Sequence, residues 1–176
     1  ELFRLGLRTE ELMSLAAEIG SDVPFCVLGG TAIATGRGEI VEALPELPKM
    51  HVVLAPTDYG VSTVSVYKAI RPKDLHPEEE KYRALCQAVQ QGDCGFIASH
   101  LYNFLEIPSF RIEPRTKVRK KMLLEAGVTN VLMSGSGPTL FGMYDSEKEA
   151  WENYKKMRTV FPNVYLTSTC SFDLIN

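Results

Sequence analysis

The stretch that most constrains this chain is residues 128–145, VTNVLMSGSGPTLFGMYD. Two apolar runs flank SGSGPT, so the segment reads as strand, glycine-rich loop, strand. SGSGPT itself supports two readings. It is a flexible hairpin loop, or its small residues bring the backbone close to a ligand and its successive N–H groups form an anion-binding nest. It is not a Walker loop, because no Gly-Lys-Ser/Thr follows. A strand rather than a long helix comes next, which excludes the dinucleotide fingerprint.

The pattern around this hairpin is regular. Residues 50–55 (MHVVLA) predict a strand ended by Pro56, and residues 163–170 (NVYLTSTC) a final one. Ser62 or Thr63 caps a helix that follows the DYGVST loop. Pro77 opens a second helix, with three acids in its first turn and Tyr82, Leu85 and Val89 on one face. Further helices are expected over about 96–105 and 114–126, the latter closed by Gly127. Ser146 and Glu149 make a capping-box pattern for a last helix that turns Trp151, Tyr154 and Met157 inward and stops before Pro162. The order strand, helices, two strands, helix, strand predicts an α+β domain from about residue 49, its helices segregated over one antiparallel sheet.

Residues 1–48 read differently. Thr9 is the expected N-cap of a helix with Glu10 and Glu11 in its first turn. Leu12, Leu15, Ala16 and Ile19 share one face, and Gly20 is the expected stop. Residues 27–47 (VLGGTAIATGRGEIVEALPEL) read as short strands with glycine turns, and Pro45 to Pro48 mark a boundary. Two domains are therefore expected, 1–48 and 49–176. The opening ELFRLGL reads as the end of a helix, and so short a first region buries little surface by itself. It reads as half of a domain, with Leu2, Phe3, Leu12 and Leu15 uncovered and prone to self-association.

Composition narrows the partners. Of 176 residues, 45% are hydrophobic and 23% charged, enough for a packed core. A net charge of −3 provides no bulk attraction to nucleic acid or an anionic membrane. The longest weakly polar stretch, residues 23–34, is too short to span a bilayer and is broken by Gly29 and Gly30. The four cysteines show no zinc spacing and read as reduced thiols of a cytoplasmic protein. His51, His76 and His100 lie far apart, so no metal site is argued.

Four stretches bear on chemistry. Asp22 stands before a Val-Pro step, where its carboxylate either caps a helical turn or sits beside a reacting hydroxyl, orienting it or taking its proton. PTDYGVST (56–63) is a turn-rich loop leaving a strand, a common place for substrate. Tyr67, on the next helix, is either core or a platform on which a base stacks. RIEPRTKVRKK (111–121) carries six basic residues and one acid, without interleaved aromatics, and reads as a solvated helix face.

Taken in order, a helix, GSDVPFCVLGGTAIATGRGE, PTDYGVST, Asn103-Phe-Leu-Glu106 and SGSGPTLFG, the chain resembles the GHMP family of small-molecule kinases over essentially its whole length. The resemblance implies a two-domain GHMP kinase fold, with an incomplete N-terminal domain and a complete ferredoxin-like C-terminal α+β domain. It implies transfer of a phosphoryl group from ATP, with Mg2+, to the hydroxyl of a small-molecule substrate, here a cytidine diphosphate-linked alcohol. It makes Asp22 the catalytic carboxylate. It places Val61, Ser62 and Thr63 at the substrate pocket, with Tyr67 stacking on the cytosine ring, and it sets Ser134, Gly135, Ser136 and Gly137 near the nucleotide phosphates. It implies no metal ligand, nucleic acid or membrane. The family also carries an early catalytic Lys and a long glycine- and serine-rich ATP loop, and neither occurs in these 176 residues. The chain therefore reads as the C-terminal portion of such an enzyme, inactive by itself. Another GHMP kinase, of homoserine or mevalonate type, and a non-catalytic small-molecule-binding module are the alternatives.

Overall fold

In the computed structural model the described residues are 6–75 and 78–170. They form two compact units, one of residues up to Leu47 with Cys170, the other Pro48–Thr169. The expectations for Leu2, Phe3, His76 and Pro77 lie outside the described residues.

The first unit holds helices α1 (Thr9–Ile19) and α2 (Val23–Leu28) and a hairpin of β1 (Ala32–Thr35) with β2 (Ile40–Ala43). Arg8, not Thr9, is the N-cap of α1: its backbone N–H donates to Glu11 Oε2 at 2.8 Å, and the helix begins one residue earlier than Thr9 capping would allow. Gly20 ends α1 as expected, but with extended backbone (φ 178°) rather than a left-handed turn. Val27 and Leu28 are helical, not strand: the six residues VPFCVL form α2, with Pro24 in its first turn, where a missing N–H costs nothing. Of the predicted apolar face of α1 only Ala16 is buried. Leu12, Leu15 and Ile19 are 40%, 51% and 80% exposed, an apolar stripe turned to solvent.

The second unit is an antiparallel sheet in the order β4-β5-β3-β6, built from β3 (His51–Ala55), β4 (Val131–Met133), β5 (Leu140–Tyr144) and β6 (Tyr165–Ser168). The register sets Ala55 opposite Leu140 and His51 opposite Tyr144. Alternation puts Val53, Ala55, Val131, Met133, Leu140 and Tyr144 in one buried cluster. Leu123 from α7 (Pro114–Glu125) and Ala150 and Met157 from α8 (Glu147–Val160) complete it. Each large apolar side chain buried there contributes about 1.5–3 kcal/mol. Tyr144, fully buried, donates its hydroxyl to Thr129 O at 2.9 Å, so its one polar atom is satisfied.

Several helices depart from expectation. The single helix over 96–105 is replaced by α5 (Cys94–His100) and α6 (Glu106–Ile112). Asp93 starts α5 early by accepting the Phe96 N–H, and Asn103 interrupts the run because its side chain accepts the Leu105 N–H at 2.9 Å. In α4 (Glu79–Gln91) Tyr82 is half exposed and Ala88 is buried instead. In α8, Ser146 Oγ accepts the Glu149 N–H as the capping box requires, but Trp151 faces solvent and Asn153 takes the inward place. Asn153 is held there because its Oδ1 accepts the Thr129 N–H. The basic run is a solvated face only in part: Arg115, Lys117 and Lys121 are exposed, while the other three are engaged. Arg111 pairs with the buried carboxylate of Asp74, Lys120 with Glu106, and Arg119 lies over the Phe161 ring at 3.6 Å.

Candidate active site

The glycine loop joins β4 to β5 and is held from several sides. Asn103 Nδ2 donates to both Met133 O and Gly135 O, each at 2.7 Å. The fully buried Ser109 donates its hydroxyl to Ser136 O at 3.0 Å. Within the loop Gly137 N–H donates to Ser134 O at 2.8 Å, and Ser134 N–H to Thr139 O at 2.9 Å. Met133 N–H donates to Glu106 Oε1, and that carboxylate also receives both contacts of Lys120 Nζ at 2.7 Å. The carbonyls of residues 133–136 are thus all accepted for. The N–H groups of Gly135 and Ser136 donate to no atom of the described residues.

Two consecutive amides are thus left free while the neighbouring carbonyls are tied back, the pattern that an anion-binding turn requires. Gly137 must be glycine, since its φ is +88° and a Cβ would come within 2.5 Å of Met133 Sδ. The flexible-hairpin reading of SGSGPT therefore does not hold for this loop, whose backbone polar groups are pinned from outside.

The PTDYGVST segment reaches the same loop. Thr63 Oγ1 and Ser136 Oγ are 2.8 Å apart, and Thr63 opens α3 (Thr63–Lys68). Ser62 is its N-cap, its hydroxyl accepting the Ser65 N–H, which settles the choice between Ser62 and Thr63. Val61 is half-buried and Ser62 and Thr63 are exposed. Tyr67 is 58% exposed on α3, so it is not a core residue and its ring is free to be covered. Upstream in the segment, Thr57 Oγ1 donates to Tyr59 O, and the Tyr59 hydroxyl meets Thr116 Oγ1 at 3.2 Å. A cavity of about 220 Å³ opens beside Asp58, Arg119, Phe161 and Asn163 and is not lined by the glycine loop. Burial there pushes the Arg119 guanidinium below its ordinary pKa, against the pull of Tyr59 and Asp58.

Asp22 lies in the first unit. It occupies the N-cap position of α2, yet its carboxylate accepts no hydrogen bond from that helix. The capping reading thus fails, and the carboxylate is exposed and uncommitted to the helix. Its Oδ1 lies 2.9 Å from where a Cβ on Gly38 would stand, so Gly38 (φ +115°) is the neighbour that makes room for it.

Sequence reasoning quoted Asn103 and Glu106 as a motif but assigned them no task. The signal that would have found one is the Asn placed between two helical segments, a residue type that diverts its amide to backbone groups. Ser109 carries no local signal of its task, and Lys120 reads in the sequence only as part of the solvated basic face.

Comparison with known proteins agrees with this geometry. Residues 78–163 match the family described as GHMP kinases C terminal. The chain is 42% identical over 167 residues to a 4-diphosphocytidyl-2-C-methyl-D-erythritol kinase of Exiguobacterium sibiricum, covering 94% of this chain and 57% of the relative. It superimposes on a crystal structure of 4-(cytidine 5'-diphospho)-2C-methyl-D-erythritol kinase with TM-score 0.73 and 31% identity, over 95% of this chain and 59% of that one. A homoserine kinase from Cytophaga hutchinsonii shares the fold, with TM-score 0.73 and 19% identity, over 97% of this chain and 60% of that one. The chain spans little more than half the length of the curated relatives it matches. The matched segment and the shared fold converge: residues 78–163 form a domain of the kind described as GHMP kinases C terminal, and the chain is similar to GHMP kinases over most of its length.

Proposed function

We propose that the protein carrying this chain is an ATP-dependent kinase. It phosphorylates the 2-hydroxyl of 4-diphosphocytidyl-2-C-methyl-D-erythritol, a cytidine diphosphate-linked methylerythritol of the non-mevalonate isoprenoid route, and acts in the cytoplasm. The observation that carries the reading is the Thr63–Ser136 contact, which couples a free-amide phosphate nest to the start of α3. The relatives near 40% identity are 4-diphosphocytidyl-2-C-methyl-D-erythritol kinases, which favours this substrate over homoserine or mevalonate.

In this reading Asp22 takes the proton of the acceptor hydroxyl, whose oxygen attacks the terminal phosphorus. The bond from that phosphorus to the bridging oxygen breaks, and ADP leaves with the bridging electron pair. Gly135 and Ser136 donate their amides to phosphate oxygens, with Ser134 and Gly137 holding the loop's ends. Val61, Ser62 and Thr63 line the acceptor side, and Tyr67 covers the cytosine ring. The loop suits a phosphate by its chemistry, because two successive amides donate to no acceptor among the described residues. Among the described residues no group of three carboxylates, histidines or cysteines could hold an ion by itself. Mg2+, which such a kinase takes with its nucleotide, would neutralise charge developing on the phosphates.

A phosphorylation assay on the longer protein, offered the cytidylylated alcohol, homoserine and mevalonate side by side, tests the reading. Turnover confined to the first supports it. Turnover of either other alcohol at a matching rate moves the assignment to a different GHMP kinase.

A further inference from the structure

We infer that Asn103 is a positioning residue for the phosphate nest. Its side chain sets which backbone atoms the loop presents, and it needs no contact with the ligand itself. The inference deepens the proposed function and rests on it only for the identity of the anion.

Asn103 Nδ2 reaches two carbonyls at once, Met133 O and Gly135 O, each at 2.7 Å. Its Oδ1 meanwhile accepts the Leu105 N–H at 2.9 Å, which fixes the amide's orientation. One side chain thus uses both donor hydrogens on the loop and its acceptor on its own backbone. Peptide planes are rigid, so holding the carbonyl of residue 135 fixes the direction of the Ser136 N–H across the same peptide bond. Holding the carbonyl of residue 133 stops the strand end from twisting the loop away. Ser109 completes the set by holding the carbonyl of Ser136. Without the Asn103 amide, the two carbonyls need new donors; the Ser136 amide is free to rotate off target, and the Gly135 amide, whose own peptide plane is still held by the Gly137 N–H on Ser134 O, is displaced with the strand end. An electrostatic site works only when its donors are already aimed.

The site of this effect is local, which makes it separable from stability. Asn153 is a second asparagine hydrogen-bonded to the backbone, holding Thr129 and Glu149 at a place away from the loop. Asn153→Ala is therefore a control for a structural loss of similar kind.

Amide spectra of the 176-residue chain, titrated with inorganic pyrophosphate, test the inference. In the unmodified chain the Gly135 and Ser136 resonances are expected to shift on titration. Asn103→Ala should move both resonances in the free protein and weaken the pyrophosphate response about tenfold, as expected for loss of one or two hydrogen bonds. Asn153→Ala should lower the melting temperature yet leave both resonances and their titration unchanged. Asn103→Asp keeps the acceptor for Leu105 and loses both donors, so it should displace the two resonances even if Asn103→Ala folds poorly. The inference is overturned if both Asn103 variants keep the original amide positions, if Asn153→Ala weakens the response equally, or if the unmodified amides ignore pyrophosphate. A failed phosphorylation assay with an intact amide response would remove the proposed substrate and leave the role of Asn103 standing. Normal phosphorylation with unmoved Asn103-variant resonances would do the reverse.

Discussion

Thr63 Oγ1 and Ser136 Oγ form a hydrogen bond of 2.8 Å between residues 73 apart in sequence. It joins the first turn of α3 to the glycine loop, so in the proposed reading the acceptor and phosphate sides would share one contact. The pair is solvent-exposed, which decides what its loss does.

Removing the Thr63 hydroxyl should cost little stability, under about 1 kcal/mol, because water replaces an exposed hydrogen bond. Thr63→Ala should nonetheless weaken binding of a cytidine diphosphate ligand severalfold, and Ser136→Ala should add little to it. Calorimetric titration of the single and double variants, beside denaturant melts, checks both statements. Fully additive losses would mean that the two hydroxyls do not act as a pair.

Gly38→Ala should disturb Asp22 directly. The new Cβ would lie 2.9 Å from Asp22 Oδ1 and 3.3 Å from Ser21 O, at a φ of +115°. Strain of about 1–3 kcal/mol is expected, with the carboxylate pushed aside. Turnover of the longer protein should fall with little change in KM, since Asp22 acts on the reacting proton. Gly30→Ala, also strained by a positive φ (+65°) but with nothing within 4 Å of its Cβ, should leave turnover unchanged, separating backbone strain from the clash with Asp22.

Alkaline stability should report on Tyr144. Burial pushes its phenol well above the ordinary value of 10, with Glu149 adding to the shift and the Thr129 hydrogen bond opposing it. At high pH the unfolded chain loses this proton while the folded one keeps it. The contribution is therefore complete below pH 10 and drains away as pH climbs from there toward the folded value, by at most about 1.4 kcal/mol per pH unit. Denaturant midpoints between pH 8 and 11 should show the loss. Tyr144→Phe should be about 1 kcal/mol less stable at neutral pH but flatter across that range.

The 176-residue chain alone should bind a cytidine diphosphate ligand without consuming ATP. Phosphoryl transfer depends on positioning and charge stabilisation, and the lysine and the glycine- and serine-rich loop implied by the family resemblance are absent from these residues. Calorimetry with each ligand and a coupled ADP assay measure the two halves of the statement. The exposed stripe of Leu12, Leu15 and Ile19 should also make this chain associate at high concentration, which light scattering would show.

Much of the second unit was legible because its signals are local. The strands around β3 and β5 follow alternation, and Ser62 and Ser146 cap where hydroxyls before helices should. What failed depends on distant partners. The break between α5 and α6 arises because Asn103 reaches a loop about 30 residues on, and Arg111, Arg119 and Lys120 find Asp74, Phe161 and Glu106 only in three dimensions. Trp151 looked like core by spacing, but Asn153 has the hydrogen bond that claims the inward face. The glycine loop, the 61–63 segment and Asp22 are visible in the sequence as motifs. The side chains that pin the loop were not, because nothing in a sequence says which carbonyl an amide will meet.

The most direct test of the account is the turnover of the longer protein after Asp22→Asn, measured with ATP and 4-diphosphocytidyl-2-C-methyl-D-erythritol. The account predicts a fall of about 100- to 10,000-fold in kcat, the range for loss of a general base, with KM nearly unchanged. Turnover equal to that of the unmodified enzyme would contradict it.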